Sequence, residues 1–106
     1  MKTALELVAA AKTRIREVAL DDAELAVRDA DVILDVREAD EYAAGHLPGA
    51  LPISRGMMEF TISSKPEFSN PDLNIVLYCK IGGRAALAAS ALLDMGYRNV
   101  LSLITI

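Results

Sequence analysis

Asn74-Ile-Val-Leu-Tyr-Cys79-Lys-Ile-Gly-Gly-Arg84, running on into the alanine-rich stretch Ala85 to Met95, decides the fold. Ile75, Val76, Leu77 and Tyr78 form a short apolar run bounded by polar residues. That is the pattern of a strand buried on both faces, as in a parallel sheet. The only cysteine of the chain stands where the strand stops. Two glycines then permit a tight turn, and the sequence predicts a helix from about Arg84. A thiol placed there faces amides that a helix start leaves unpaired, together with the positive end of the helix dipole. Both favour thiolate over thiol, and Lys80 and Arg84 add positive charge beside it. The expectation is a loop that holds an anion against a nucleophilic sulfur.

The rest of the chain is compatible with one compact domain over residues 1–106. Hydrophobic residues make up 53% and charged residues 25%, which is enough to fill a single core. A formal charge of −4 argues against a general nucleic-acid binder, which needs clustered lysine and arginine. The acidic surplus reads as solvated helix faces. One cysteine cannot close an internal disulfide, so a reducing compartment suits it. No apolar run approaches the ~20 residues needed to span a bilayer, so no membrane role is expected. Glu6, Lys12 and Arg14 interrupt the start in a way that a secretory leader would not tolerate. The expected location is the cytoplasm.

Outward from the loop, strands alternate with helices, which implies a mostly parallel sheet covered on both faces. Thr3 with Glu6 is a capping-box pattern, and predicts an additional helix within residues 1–14 whose apolar stripe is Leu5, Val8 and Ala11. Ile15 to Ala19 reads as a strand, and Asp21 with Glu24 predicts a second capped helix ending near Asp29. Val32 to Val36 is the next strand, with Asp35 at its carboxyl end, where ligands gather in parallel sheets. Asp35 and Arg37 read first as an ion pair that ties this strand to its loop. Glu38 to Ala44 is a short helix stopped by Gly45, and Pro48 with Gly49 turns the chain into a strand at Ala50 to Ile53. His46 reads as an anchor of that turn, because a pre-formed thiolate has little need of a general base. Met57, Met58 and Phe60 read as packing residues, with a wall of the pocket mouth as the alternative. Ser63 to Pro71 is expected to be a mobile surface loop. Gly96 should cap the long helix, ahead of a last strand from Val100 to about Leu103.

Asp35-Val-Arg-Glu38, Glu41-Tyr42, Gly45-His-Leu-Pro-Gly-Ala50, the loop Cys79 to Arg84, and Met95-Gly-Tyr97 with Asn99-Val100 stand in that order. Together they resemble the rhodanese-like sulfurtransferases over roughly residues 15 to 103. The resemblance implies a three-layer α/β fold with helices on both faces of the sheet. It implies that Cys79 takes a sulfane sulfur from a small anionic donor such as thiosulfate, forms a persulfide, and passes the sulfur to cyanide, a thiol or another protein. Lys80, Ile81, Gly82, Gly83 and Arg84 would then bind the donor, and Asp35, Arg37 and His46 would support the site, with no metal and no cofactor. Ile81 stands where loops of the family often carry a hydroxyl residue, and so implies an apolar pocket with weaker persulfide stabilisation or altered donor preference. Where the family continues into a final covering helix, this sequence reads Leu101-Ser-Leu-Ile-Thr-Ile106. The expectation is that this helix is missing and that the amino-terminal helix or a second subunit, in a homodimer, covers the exposed surface. Two other readings stand beside the enzyme. A cysteine phosphatase of related architecture would have one more residue between cysteine and arginine, and an inactive interaction module would commonly have lost the cysteine.

Overall fold

The computed structural model describes residues 1–104; the expectation about how the chain closes falls partly on Thr105 and Ile106, outside the described residues. In chain order the elements are α1 (Ala4–Lys12), β1 (Arg16–Val18), α2 (Leu20–Asp29), β2 (Val32–Asp35), α3 (Ala39–Ala44), β3 (Leu51–Pro52), α4 (Met58–Ser63), β4 (Asn74–Tyr78), α5 (Gly83–Asp94) and β5 (Asn99–Leu103). Short 3-10 turns lie at Arg55–Met57 and Pro66–Phe68. The five strands form one parallel sheet in the order β1-β5-β4-β2-β3, as the alternation of strands and helices requires.

β4 is central and carries the expected burial. Ile75 and Leu77 face one layer, where Ala85, Ala88, Ala89 and Leu92 of α5 pack with Met58, Ile62 and Phe68. Val76 and Tyr78 face the other, against Ala23, Ala26 and Val27 of α2 and Tyr42 of α3. Apolar side chains on both faces explain why the strand reads as a continuous run. The small side chains of α5 let its backbone lie close to the sheet, which aims its first turn at the carboxyl end of β4. Register pairs Asp35 with Tyr78, so both stand at the rim where Cys79 follows.

Several local expectations are corrected. The capping box of α1 is present, Glu6 N–H donating to Thr3 Oγ1 at 3.2 Å, but only Ala11 of the predicted stripe is buried and Leu5 is 81% exposed. α2 begins at Leu20 behind an uncapped Ala19, so Asp21 lies inside the first turn and complements the helix dipole there, without capping the helix. β3 is shorter than expected and sits at the sheet edge, where Pro52 needs no ladder partner. Of the predicted packing trio only Met58 is buried; Met57 and Phe60 are exposed. Ser63 to Pro71 is no loose loop: Phe68 is buried in the core and its carbonyl accepts the Tyr97 hydroxyl.

Candidate active site

Cys79 leaves the sheet directly after β4, and the chain turns back over its sulfur before α5 begins. The Gly82 amide donates to Cys79 Sγ at 3.1 Å and the Ala85 amide at 3.3 Å. Gly82 makes this turn with φ +89°, the left-handed region that only glycine enters without strain. A Cβ there would also meet the Ile104 carbonyl oxygen at 2.9 Å, so the position excludes a side chain twice over. Gly83 follows as the first residue of α5. Cys79 itself is 1% exposed, closed in by the loop that its sulfur organises. Two aligned amides at the start of a helix form a cradle for a sulfur anion.

The remaining loop residues divide. Lys80 and Ile81 are at the surface, and Ile81 is 77% exposed, so it does not line an interior pocket over the sulfur. Arg84 pairs with Glu41 of α3, donating Nη1–H to Oε1 at 2.6 Å and Nη2–H to Oε2 at 3.1 Å. The ion pair, with the Glu38 amide donating to Glu41 Oε1 at 3.1 Å, pulls the Glu41 carboxyl down to about 2. It raises the Arg84 guanidinium above its ordinary value, and the charge of Cys79 adds to that rise. The cysteine is therefore within electrostatic reach of an arginine whose fork is already engaged.

Asp35, fully buried at the end of β2, accepts Arg37 Nε–H at 2.9 Å, Nη2–H at 2.7 Å and the Arg37 amide at 3.0 Å. Burial pushes the Asp35 carboxyl up, but the hydrogen bonds from Arg37 outweigh it and hold it below the usual range. Arg37 also donates to the Gly45 carbonyl at 2.6 Å and lies 5.6 Å over the Tyr78 ring. It thus joins β2, β4 and the turn after α3, the tying role expected of it. His46 is exposed, stacked on Tyr42 at 3.6 Å, with Nδ1 2.9 Å from the Tyr42 carbonyl oxygen. That geometry anchors the turn. Sequence reasoning missed the second sulfur donor, the amide of Ala85, and the partner of Arg84. No local pattern signals the second: the Glu38–Glu41 spacing reports only the cap of α3, and Arg84 lies 43 positions away.

The model of the rhodanese-like domain family matches residues 19–105. The chain belongs to the rhodanese-like family. This rhodanese-like domain is 34% identical over 80 residues to the thiosulfate sulfurtransferase GlpE of Pseudoalteromonas translucida, covering 76% of this chain and 72% of that one. Among solved structures it is similar to the human single-domain sulfurtransferase TSTD1, with TM-score 0.73, 27% identity, and coverage of 83% of this chain and 88% of that one. It is also similar to a Rhodopseudomonas palustris protein of unknown function described as a possible tyrosine phosphatase, with TM-score 0.84, 29% identity, and coverage of 99% and 86%. The three-layer α/β fold and its parallel sheet agree with these relatives.

Proposed function

We propose that this rhodanese-like domain moves a sulfane sulfur from a donor such as thiosulfate to a thiophilic acceptor through a persulfide on Cys79. The observation that carries the reading is the convergence of the Gly82 and Ala85 amides on Cys79 Sγ. Donors fixed in place before reaction stabilise a sulfur anion without reorganising. In the first step the Cys79 thiolate attacks the outer sulfur of thiosulfate. A new sulfur–sulfur bond forms, the one inside the donor breaks, and sulfite leaves with its electron pair. In the second step an acceptor (cyanide, a thiol or a protein thiolate) attacks the outer sulfur of the persulfide, and Cys79 departs as thiolate. Lys80 draws the anionic donor towards the loop from its exposed position. Because Cys79 is 1% exposed, the donor enters by displacing part of the loop rim. A lone thiol kept reduced suits the cytoplasm.

Intact-mass measurement after thiosulfate treatment tests this. One added sulfur atom is expected, lost on cyanide addition and absent in Cys79→Ser. No added sulfur on the wild type would overturn the reading. The similarity to a protein described as a possible tyrosine phosphatase favours one second reading, cysteine phosphatase chemistry. Turnover of a generic aryl phosphate without sulfur loading would support it. The loop of six residues from Cys79 to Arg84 speaks against it, since it closes tightly on a single sulfur atom.

A further inference from the structure

The arginine that closes the active loop is not waiting for a substrate. Its two terminal nitrogens are both engaged by Glu41, and the pair sits at the rim, with side chains 36% and 27% exposed. Glu41 is itself held from behind by the Glu38 amide, so its carboxylate is aimed before anything arrives. A guanidinium fork matches two oxygens of a carboxylate and two oxygens of a sulfur oxyanion equally well. Only one of them can use that fork at a time.

We propose that Glu41 is a specificity-determining residue of the loop, an internal competitor that an oxyanion sulfur donor must displace from Arg84 and that a thiol-borne persulfide need not. The inference rests on the sulfur-transfer reading above. With thiosulfate, the oxygens of the sulfonate end seek Arg84 while Cys79 attacks the outer sulfur and sulfite leaves. With an alkyl persulfide, Cys79 attacks the outer sulfur and the alkyl thiolate leaves, with no oxyanion to be bound. Glu41 therefore raises the thiosulfate concentration needed for loading and leaves alkyl persulfides untouched. The site favours sulfur delivered from a thiol, of a small molecule or of a protein, over sulfur delivered from an oxyanion.

The test compares the wild-type chain with Glu41→Gln for sulfur loading by thiosulfate and by 2-hydroxyethyl persulfide, followed by intact mass. Removing the charge from this partly exposed pair frees the fork, so half-saturation by thiosulfate falls about two- to fivefold. The limiting rate with thiosulfate and the whole concentration dependence with the persulfide stay as in the wild type. A purely structural Glu41 would instead degrade both donors together. Thiosulfate half-saturation that is unchanged or higher, or an equal change for both donors, overturns the proposal. Should Glu41→Gln fail to fold, Glu41→Asp keeps the charge on a shorter arm, and the same donor-selective change, smaller, is required of it. A wild-type protein that takes sulfur from neither donor overturns the sulfur-transfer reading and this proposal together.

Discussion

At the scale of single residues, the site depends on a conformation that one position alone supplies. Gly82 sits at φ +89° with the Ile104 carbonyl oxygen 2.9 Å from where a Cβ would lie. Gly82→Ala is expected to cost about 1–2 kcal/mol from backbone strain alone, and to swing the 82 amide off Cys79 Sγ. Sulfur loading measured by intact mass should fall well below wild type while far-UV circular dichroism stays native. Asp35 is the opposite case, a buried charge that holds structure. Asp35→Ala strands Arg37 in a half-buried site and is expected to cost about 3–5 kcal/mol in urea unfolding. Loading per folded molecule should survive, because Asp35 makes no contact with the sulfur cradle. Both positions can be picked out of the sequence by residue type. What only the fold shows is the left-handed turn at Gly82 that brings its amide onto the sulfur.

At the scale of elements, helices and strands follow their local signals where those signals are strong. The apolar run of β4 and the alanine-rich α5 are continuous over many residues, and both form as expected. Weaker patterns yield to packing. α1 lies along α5, with Val8 Cγ2 3.8 Å from a Cβ built on Gly83 and Arg14, just past the helix, bonded to Ser90 and Asp94. Only the side turned to α5 is covered, so Ala11 is buried and Leu5 stays in solvent. Ser63 to Pro71 reads as a loop because of its prolines and polar residues, yet Phe68 pins it to the core. Phe68→Ala is expected to cost about 3–5 kcal/mol, measured by denaturant midpoint, where a true surface loop would cost almost nothing. Loading by thiosulfate should persist, since this segment lies beside Tyr97, at the far end of α5 from Cys79.

At the scale of the whole molecule, ion pairs, most of them between distant segments, set the response to acid. Asp35, Glu41, Asp72 and Asp94 all carry carboxyls held below their ordinary values, with Arg37, Arg84, Arg98 and Arg14 as partners. A carboxyl depressed in the folded state contributes stability that is complete above its unfolded value and lost as pH falls through its folded one. For Glu41 that window runs from 4.5 down to about 2. The urea midpoint is therefore expected to hold steady from neutrality to about pH 5 and to fall towards about pH 3, mainly through buried Asp35, since solvent screens the exposed pairs. Added salt should shrink the part owed to the exposed pairs Arg98–Asp72 and Arg14–Asp94 more than the part owed to Asp35. A midpoint indifferent to acid in that range would contradict this assignment.

By itself the sequence determined the alternation of strands and helices, the parallel sheet, and the thiol at the junction of β4 and α5. Each of these follows from backbone sterics and side-chain periodicity within a window of a few residues. Tertiary structure alone decided that Arg84 faces Glu41, 43 positions away, that Ala85 supplies the second donor to sulfur, and that Ile81 points into solvent. Those outcomes depend on how distant segments settle against one another when the two layers close on the sheet, and no short stretch of chain encodes that.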